Sequence, residues 1–209
     1  MTTITHDLGH GMGNDWEHKD WAHLTVSELH NLQPYYPCLQ GGIQILWCSP
    51  RPFSSAAVIE VTQDAVSTDK IGSRSYFIKR SHRSFRNAQD ILQEHAFLRH
   101  LASKNIPVAT LIASNCGLTA LEMGDWTYEV YEKAAGFDLY VDQQSWTPFF
   151  YTEHAVKVGS LLAKLHVAMQ DFPELHGRSA RYLVSNQQLL ESENIVTAIQ
   201  QRIQNSPEL

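Results

Sequence analysis

Between Ile43 and Tyr131 the chain passes through five short β-patterned segments interrupted by a single helical one, and from Thr152 onward its patterning is helical only. That order limits the fold more than any single residue does. Consecutive strands joined by tight turns pair antiparallel, and one inserted helix has to bury its apolar stripe against the resulting sheet. The strand segments are Ile43–Trp47, Ala56–Val61, Arg74–Arg80, Leu118–Met123 and Trp126–Tyr131. A turn with two prolines (residues 49–55) joins the first two, and Gly124-Asp125 between the last two is a hairpin signal. In the inserted segment from Asn87 to Ser103, Ile91, Leu98, Leu101 and Ala102 share a face with Leu92 beside it, and Asn105 is placed to end the helix. Thr152–Met169 is the clearest helix, with Ala155, Val158, Leu161, Leu162, Leu165 and Met169 on one stripe. A last helix is predicted over about residues 187–203. The expected class is α+β, with a boundary near Gly136.

The N-terminal residues follow another pattern. Residues 1–24 carry Gly9, Gly11 and Gly13 with little periodicity and are expected to form a flexible leader, with Trp21 and Leu24 as its first docked residues. Thr25–Leu32 predicts a short helix with Thr25 as cap and Glu28 completing a capping box. The expected division is leader 1–24, a sheet-bearing lobe 25–135 and a helical lobe 136–209. Hydrophobic residues at 43% and charged residues at 18% suit a soluble globular chain. The net charge of -6 offers no basic surface for nucleic acid. No apolar run approaches the roughly 18 residues of a membrane span, and the polar start is not a signal peptide. Cys38, Cys48 and Cys116 form no Cys-x-x-Cys, so free thiols and a cytoplasmic setting are expected.

Charge placement points to chemistry. Tyr76-Phe77-Ile78-Lys79 is an apolar strand that ends in a lysine, and Glu94 follows one helix later. A rigid strand aims a cation, and a carboxylate from a neighbouring helix holds it, as phosphate binding requires. Read singly, both residues are ordinary solvated charges; the order hairpin, lysine strand, glutamate helix, hairpin favours the phosphate reading. The turn at 49–55 lies where a phosphate-covering loop would sit, and Ser54 and Ser55 have hydroxyls and backbone N–H groups to offer, although the loop has no glycine. Backbone groups of Glu132 to Ala134, just after a strand, are positioned to bracket an adenine edge; a plain linker is the alternative.

These residues resemble the aminoglycoside phosphotransferase-like family, which shares the protein-kinase fold. The matching runs are Tyr-Phe-Ile-Lys (76–79), Glu-His-Ala-Phe-Leu-Arg-His-Leu (94–101), Ile-Pro-Val (106–108), Tyr-Glu-Val-Tyr-Glu-Lys-Ala-Ala-Gly (128–136) and Gly-Ser-Leu-Leu-Ala-Lys-Leu-His (159–166). The resemblance covers roughly residues 40–170. It implies a five-stranded antiparallel N-terminal lobe with one inserted helix and an incomplete helical C-terminal lobe. It further implies ATP and Mg2+ as cofactors, Lys79 as the phosphate lysine with Glu94 as its partner, residues 131–136 as the adenine linker, and a hydroxyl acceptor of unspecified identity.

The chain also departs from that family, whose catalytic loop reads His-Gly-Asp-x-x-x-x-Asn followed by a magnesium-binding Asp. Here His176-Gly177 is followed by Arg178, Leu183 stands at the Asn position, and Asp171 is the only aspartate beyond Asp142. The expectation is a truncated family member limited to nucleotide binding, or alternatively a self-standing nucleotide- or partner-binding module. His6, His10, His18 and His23 read as adventitious metal binders rather than a built site. His166 is expected to be packed or hydrogen-bonded, and the alternation around Trp126, Tyr128 and Tyr131 reads as a half-buried strand. Leu189, Val196, Ile199 and Ile203 form a last stripe. Either it docks on the Thr152–Met169 helix, or it is an exposed patch for self-association.

Overall fold

Apolar residues that alternate along the strands sort into two layers once the strands pair. The computed structural model describes residues 22–49, 54–63, 72–83, 86–140, 143, 147–173 and 194–205. Helix α1 (Val26–His30) precedes three antiparallel strands, β1 (Gly42–Cys48), β2 (Ser55–Gln63) and β3 (Gly72–His82). Helix α2 (Ala88–Ser103) follows, then the hairpin of β4 (Ala120–Met123) and β5 (Trp126–Glu132), then α3 (Thr152–Met169) and α4 (Ile195–Asn205). The sheet order is β1-β2-β3-β5-β4, antiparallel throughout, which is the α+β arrangement expected from the sequence. The residues divide into two compact units, 1–179 and 180–209.

The first unit holds the sheet. Its main core lies on one face, where Ala57, Ile59, Val61, Tyr76, Ile78, Tyr128 and Val130 meet Leu24, Leu29, Leu32, Tyr36 and Leu39 from the segment around α1. That segment is therefore a structural layer from Leu24 onward. Thr25 caps α1 by accepting the Glu28 N–H through its hydroxyl. The reciprocal half of the capping box gives way to tertiary contacts, because the Glu28 carboxylate turns to the sheet and accepts from Arg80 Nη1 at 2.7 Å and Tyr128 OH at 2.6 Å. Two buried polar partners outweigh one exposed backbone N–H.

The other face carries α2. Asn87 caps it by accepting the Asp90 N–H, and Asn105, at φ 59, ends it in the left-handed conformation that Asn tolerates. Its buried residues are Ile91, His95 and Leu101, spaced at helical intervals. In the β4–β5 hairpin Met123 pairs with Trp126, and Gly124 at φ 58 supplies the positive φ that a two-residue turn needs.

Helix α3 differs from expectation in its surroundings. Ala168 is buried and Leu165 packs with Phe97, Leu101, Ile106 and Val108 at the end of α2, but Val158, Leu161 and Leu162 are 50%, 40% and 49% exposed. His166, expected to be packed, is exposed. In the second unit α4 begins at Ile195, with Asn194 Oδ1 accepting the Thr197 N–H. The predicted start at residue 187, with Leu189, lies outside the described residues. Ile195, Val196, Ile199 and Ile203 are exposed. No helix among the described residues is long and apolar enough to cross a membrane.

Candidate phosphate-binding site

Strand register decides which charges meet. Lys79 lies opposite Glu129 across β3 and β5, with Phe77 opposite Tyr131 beside them, so these four residues share the face that α2 covers. Lys79 Nζ lies 3.8 Å from Glu129 Oε1; the lysine side chain is 24% exposed and the glutamate 2%. Glu129 Oε2 accepts from Tyr131 OH at 2.5 Å and from His95 Nε2 at 3.0 Å, and His95 Nδ1 is 2.8 Å from Thr119 Oγ1. An ionised carboxylate only accepts, so His95 carries its proton on Nε2 toward Glu129.

Glu129 is a buried charge held by its surroundings. Burial alone would raise its pKa, but the hydrogen bond from His95, the charge of Lys79, the hydrogen bond from Tyr131 and the charge of Arg86 outweigh it and hold the pKa down to about 2. Burial, then the adjoining Glu129 charge, push the Tyr131 hydroxyl far above its ordinary range, so it stays a donor. Glu129 Oε1 makes no hydrogen bond.

The other expected site residues fall around this centre. Glu94 lies on α2 next to His95, and its carboxylate accepts from Arg86. Ser54 is half-buried just before β2, while residues 50–53 of the turn lie outside the described residues. Ser55 needs correcting as a hydroxyl donor to phosphate. It pairs with Arg80, not Lys79, so its side chain belongs to the opposite face, where it is 3% exposed and its Oγ accepts the Leu24 N–H at 3.0 Å. Glu132 and Ala134 are exposed, but the Glu132 N–H donates to Thr110 O at 3.0 Å and the Lys133 N–H to Ser75 O at 3.2 Å. Those two amides hold the segment in place.

Asp171 is engaged as well. It pairs with Lys104 and lies 3.2 Å from His100 at the end of α2. The hydrogen bond from Lys104 leads the causes that lower its pKa. The His176-Gly177-Arg178 segment lies outside the described residues, as do His6, His10 and His18. Among the described residues no group of three or more His, Cys, Asp or Glu side chains is placed to hold a metal ion.

Residue-by-residue reading missed Glu129, His95, Tyr131 and Thr119. His95 was within reach, since it stands four residues after Ile91 and three before Leu98 on the same helical face. Glu129 was not, because the alternation predicted a half-buried strand. β5 lies between β3 and β4 with both faces covered, so Thr127, Tyr128, Glu129, Val130 and Tyr131 are all buried.

Comparison with known proteins follows the same segments. Two solved structures are similar to the chain. One is an amicoumacin kinase, hAmiN in complex with AMP-PNP, Ca2+ and Ami, at 24% identity and a TM-score of 0.39, covering 52% of this chain and 30% of that one. The other is the spectinomycin phosphotransferase APH(9)-Ia in complex with ADP and spectinomycin, at 13% identity and a TM-score of 0.45, covering 68% of this chain and 37% of that one. The chain thus spans about a third of the length of either structure. No curated protein matches it. The phosphotransferase enzyme family matches residues 60–203, which takes in the Lys79 strand, helix α2 with Glu94, the buried strand of Glu129 and helix α3, and leaves out α1 and β1. With about two thirds of its length matched, from the lysine strand through the last helix, the chain belongs to the phosphotransferase enzyme family.

Proposed function

We propose that the α2-covered face of the sheet binds the phosphates of ATP through Lys79, with Glu94 on the adjoining helix and the backbone around Ser54 and Ala134 completing the nucleotide site. The observation that carries this reading is the state of Lys79. It is a partly exposed cation fixed on a central strand, beside a carboxylate that is buried and ionised. A cation held by a buried anion keeps its charge and its place, and 24% of the Lys79 side chain remains exposed. In the intact family the resemblance implies transfer of the γ-phosphate to a hydroxyl acceptor. Magnesium is implied by the resemblance alone; among the described residues no group of three or more candidate ligands forms, and Asp171 pairs with Lys104 and lies 3.2 Å from His100, so no step is routed through a metal.

The expected behaviour is nucleotide binding without turnover. Titration calorimetry should show that ATP binds more tightly than adenosine, and Lys79→Ala should remove that preference. At ~100 times its dissociation constant ATP should stabilise the fold by about 2.7 kcal/mol, visible as a thermal shift. ATP-dependent phosphorylation that Lys79→Ala abolishes would overturn the no-turnover part, and equal affinity for ATP and adenosine would overturn the phosphate site itself.

A partner-binding role is the second reading, and a separate observation favours it. Val158, Leu161 and Leu162 on α3 and, in the second unit, Val196, Ile199 and Ile203 on α4 are exposed apolar residues. Light scattering across a concentration series distinguishes self-association through these stripes from a monomer.

A further inference from the structure

We infer that Glu129 is a positioning residue for Lys79, a carboxylate built into β5 that holds the lysine in its phosphate-binding orientation. The inference rests on the phosphate-binding reading of Lys79 and adds to it a residue from a different element than the helix glutamate.

Three observations support it. The antiparallel register sets Lys79 directly opposite Glu129, so their side chains leave the same face of two adjacent central strands. The carboxylate is divided between two jobs. Oε2 is clamped by Tyr131 OH and His95 Nε2, while Oε1 makes no hydrogen bond and lies 3.8 Å from Lys79 Nζ. Finally, the group is almost fully buried, and an ionised carboxylate at that depth is costly unless a cation and hydrogen bonds compensate it. The clamp fixes where the negative charge sits and the lysine aligns to it. At 3.8 Å the pair is an ion pair and not a short bidentate hydrogen bond, so Glu129 orients the ammonium by charge.

A purely structural role is the competing account. Glu129 would then serve only to fasten α2 to β5 through His95. The two differ in what they do to ligand discrimination, because a fastener affects stability whereas a positioning residue affects the phosphate-dependent part of binding.

The test is titration calorimetry of ATP and of adenosine against wild type, Lys79→Ala and Glu129→Gln, with circular dichroism to confirm folding. Positioning predicts that Glu129→Gln weakens ATP binding about tenfold and leaves adenosine within about twofold. If Glu129→Gln does not fold, Tyr131→Phe replaces it; it keeps the charge, frees one side of Oε2, and should weaken ATP about threefold with adenosine unchanged. Loss of ATP preference in Lys79→Ala alone, with the folded Glu129 or Tyr131 variant indistinguishable from wild type, overturns the inference and leaves the phosphate site standing. An unchanged preference in Lys79→Ala overturns the phosphate site, and the inference falls with it.

Discussion

The two faces of the sheet each carry a cation paired with a carboxylate, one residue apart on β3, and the pairs are built differently. On the α1 face Arg80 is 6% exposed, donates to both oxygens of Glu28 and to Ala22 O, and lies 4.1 Å over the ring of Trp126. Tyr128 OH donates to the same carboxylate. On the α2 face Lys79 keeps 24% of its side chain exposed and stands off from a carboxylate whose Oε1 makes no hydrogen bond. The first pair is closed, since its hydrogen bonds join α1 to the sheet and its cation is covered. The second is more open, with a buried anion and a lysine side chain that is 24% exposed. Arg suits the closed pair because its planar fork is matched by a carboxylate, and Lys suits the open one as a point charge on a flexible stem. The two pairs differ in how far the cation is covered, with 6% of the Arg80 side chain exposed against 24% of Lys79.

The largest effect is expected on the closed side. Arg80→Ala leaves Glu28 partly buried without its cation and strips the cover from Trp126, and should cost about 3–5 kcal/mol in urea unfolding. It should leave the preference for ATP over adenosine intact. A loss of that preference would mean that the two faces are not separable.

The open pair should show itself in acid. The Glu129 pKa is held down to about 2, below the ordinary carboxylate value near 4.3. A depressed pKa contributes stability that is fully present above about pH 4.3 and is lost as pH falls towards 2, on the order of 2–3 kcal/mol. Glu129→Gln should flatten that part of the stability profile between pH 5 and 2, roughly the window set by those two values. An unchanged acid profile would show that Glu129 is not charged in the folded protein.

Tyr128→Phe is the smallest of the three. It removes one of the donors to Glu28 while Arg80 stays in place, and should cost about 1 kcal/mol in the same unfolding experiment. A cost as large as that of Arg80→Ala would mean that the tyrosine, not the arginine, holds the α1 face together.

The elements were largely legible from the residues, and the reasons are local. Apolar alternation marked the strands, Asn87 and Asn105 bracketed α2, and Gly124 marked the hairpin, because caps, turns and periodicity act over a few residues. Lys79 and Glu94 stood out for the same reason, each at a fixed place on its own element. The α3 stripe was equally legible as a stripe, yet Leu161 and Leu162 proved exposed, because periodicity shows which residues share a face and not what covers it.

By itself, then, the sequence determined the order of elements, the α+β class, the family and the strand that bears the lysine. Only the tertiary structure decided that β5 lies between β3 and β4, and everything around the lysine follows from that placement. It set Glu129 opposite Lys79, buried both faces of β5 and brought His95 across from α2, while the β2–β3 register and the α1 layer placed Ser55 and Glu28 on the opposite side. Such contacts join residues 31 to 52 positions apart, and no local signal along a chain records which distant residue its neighbour in space will be.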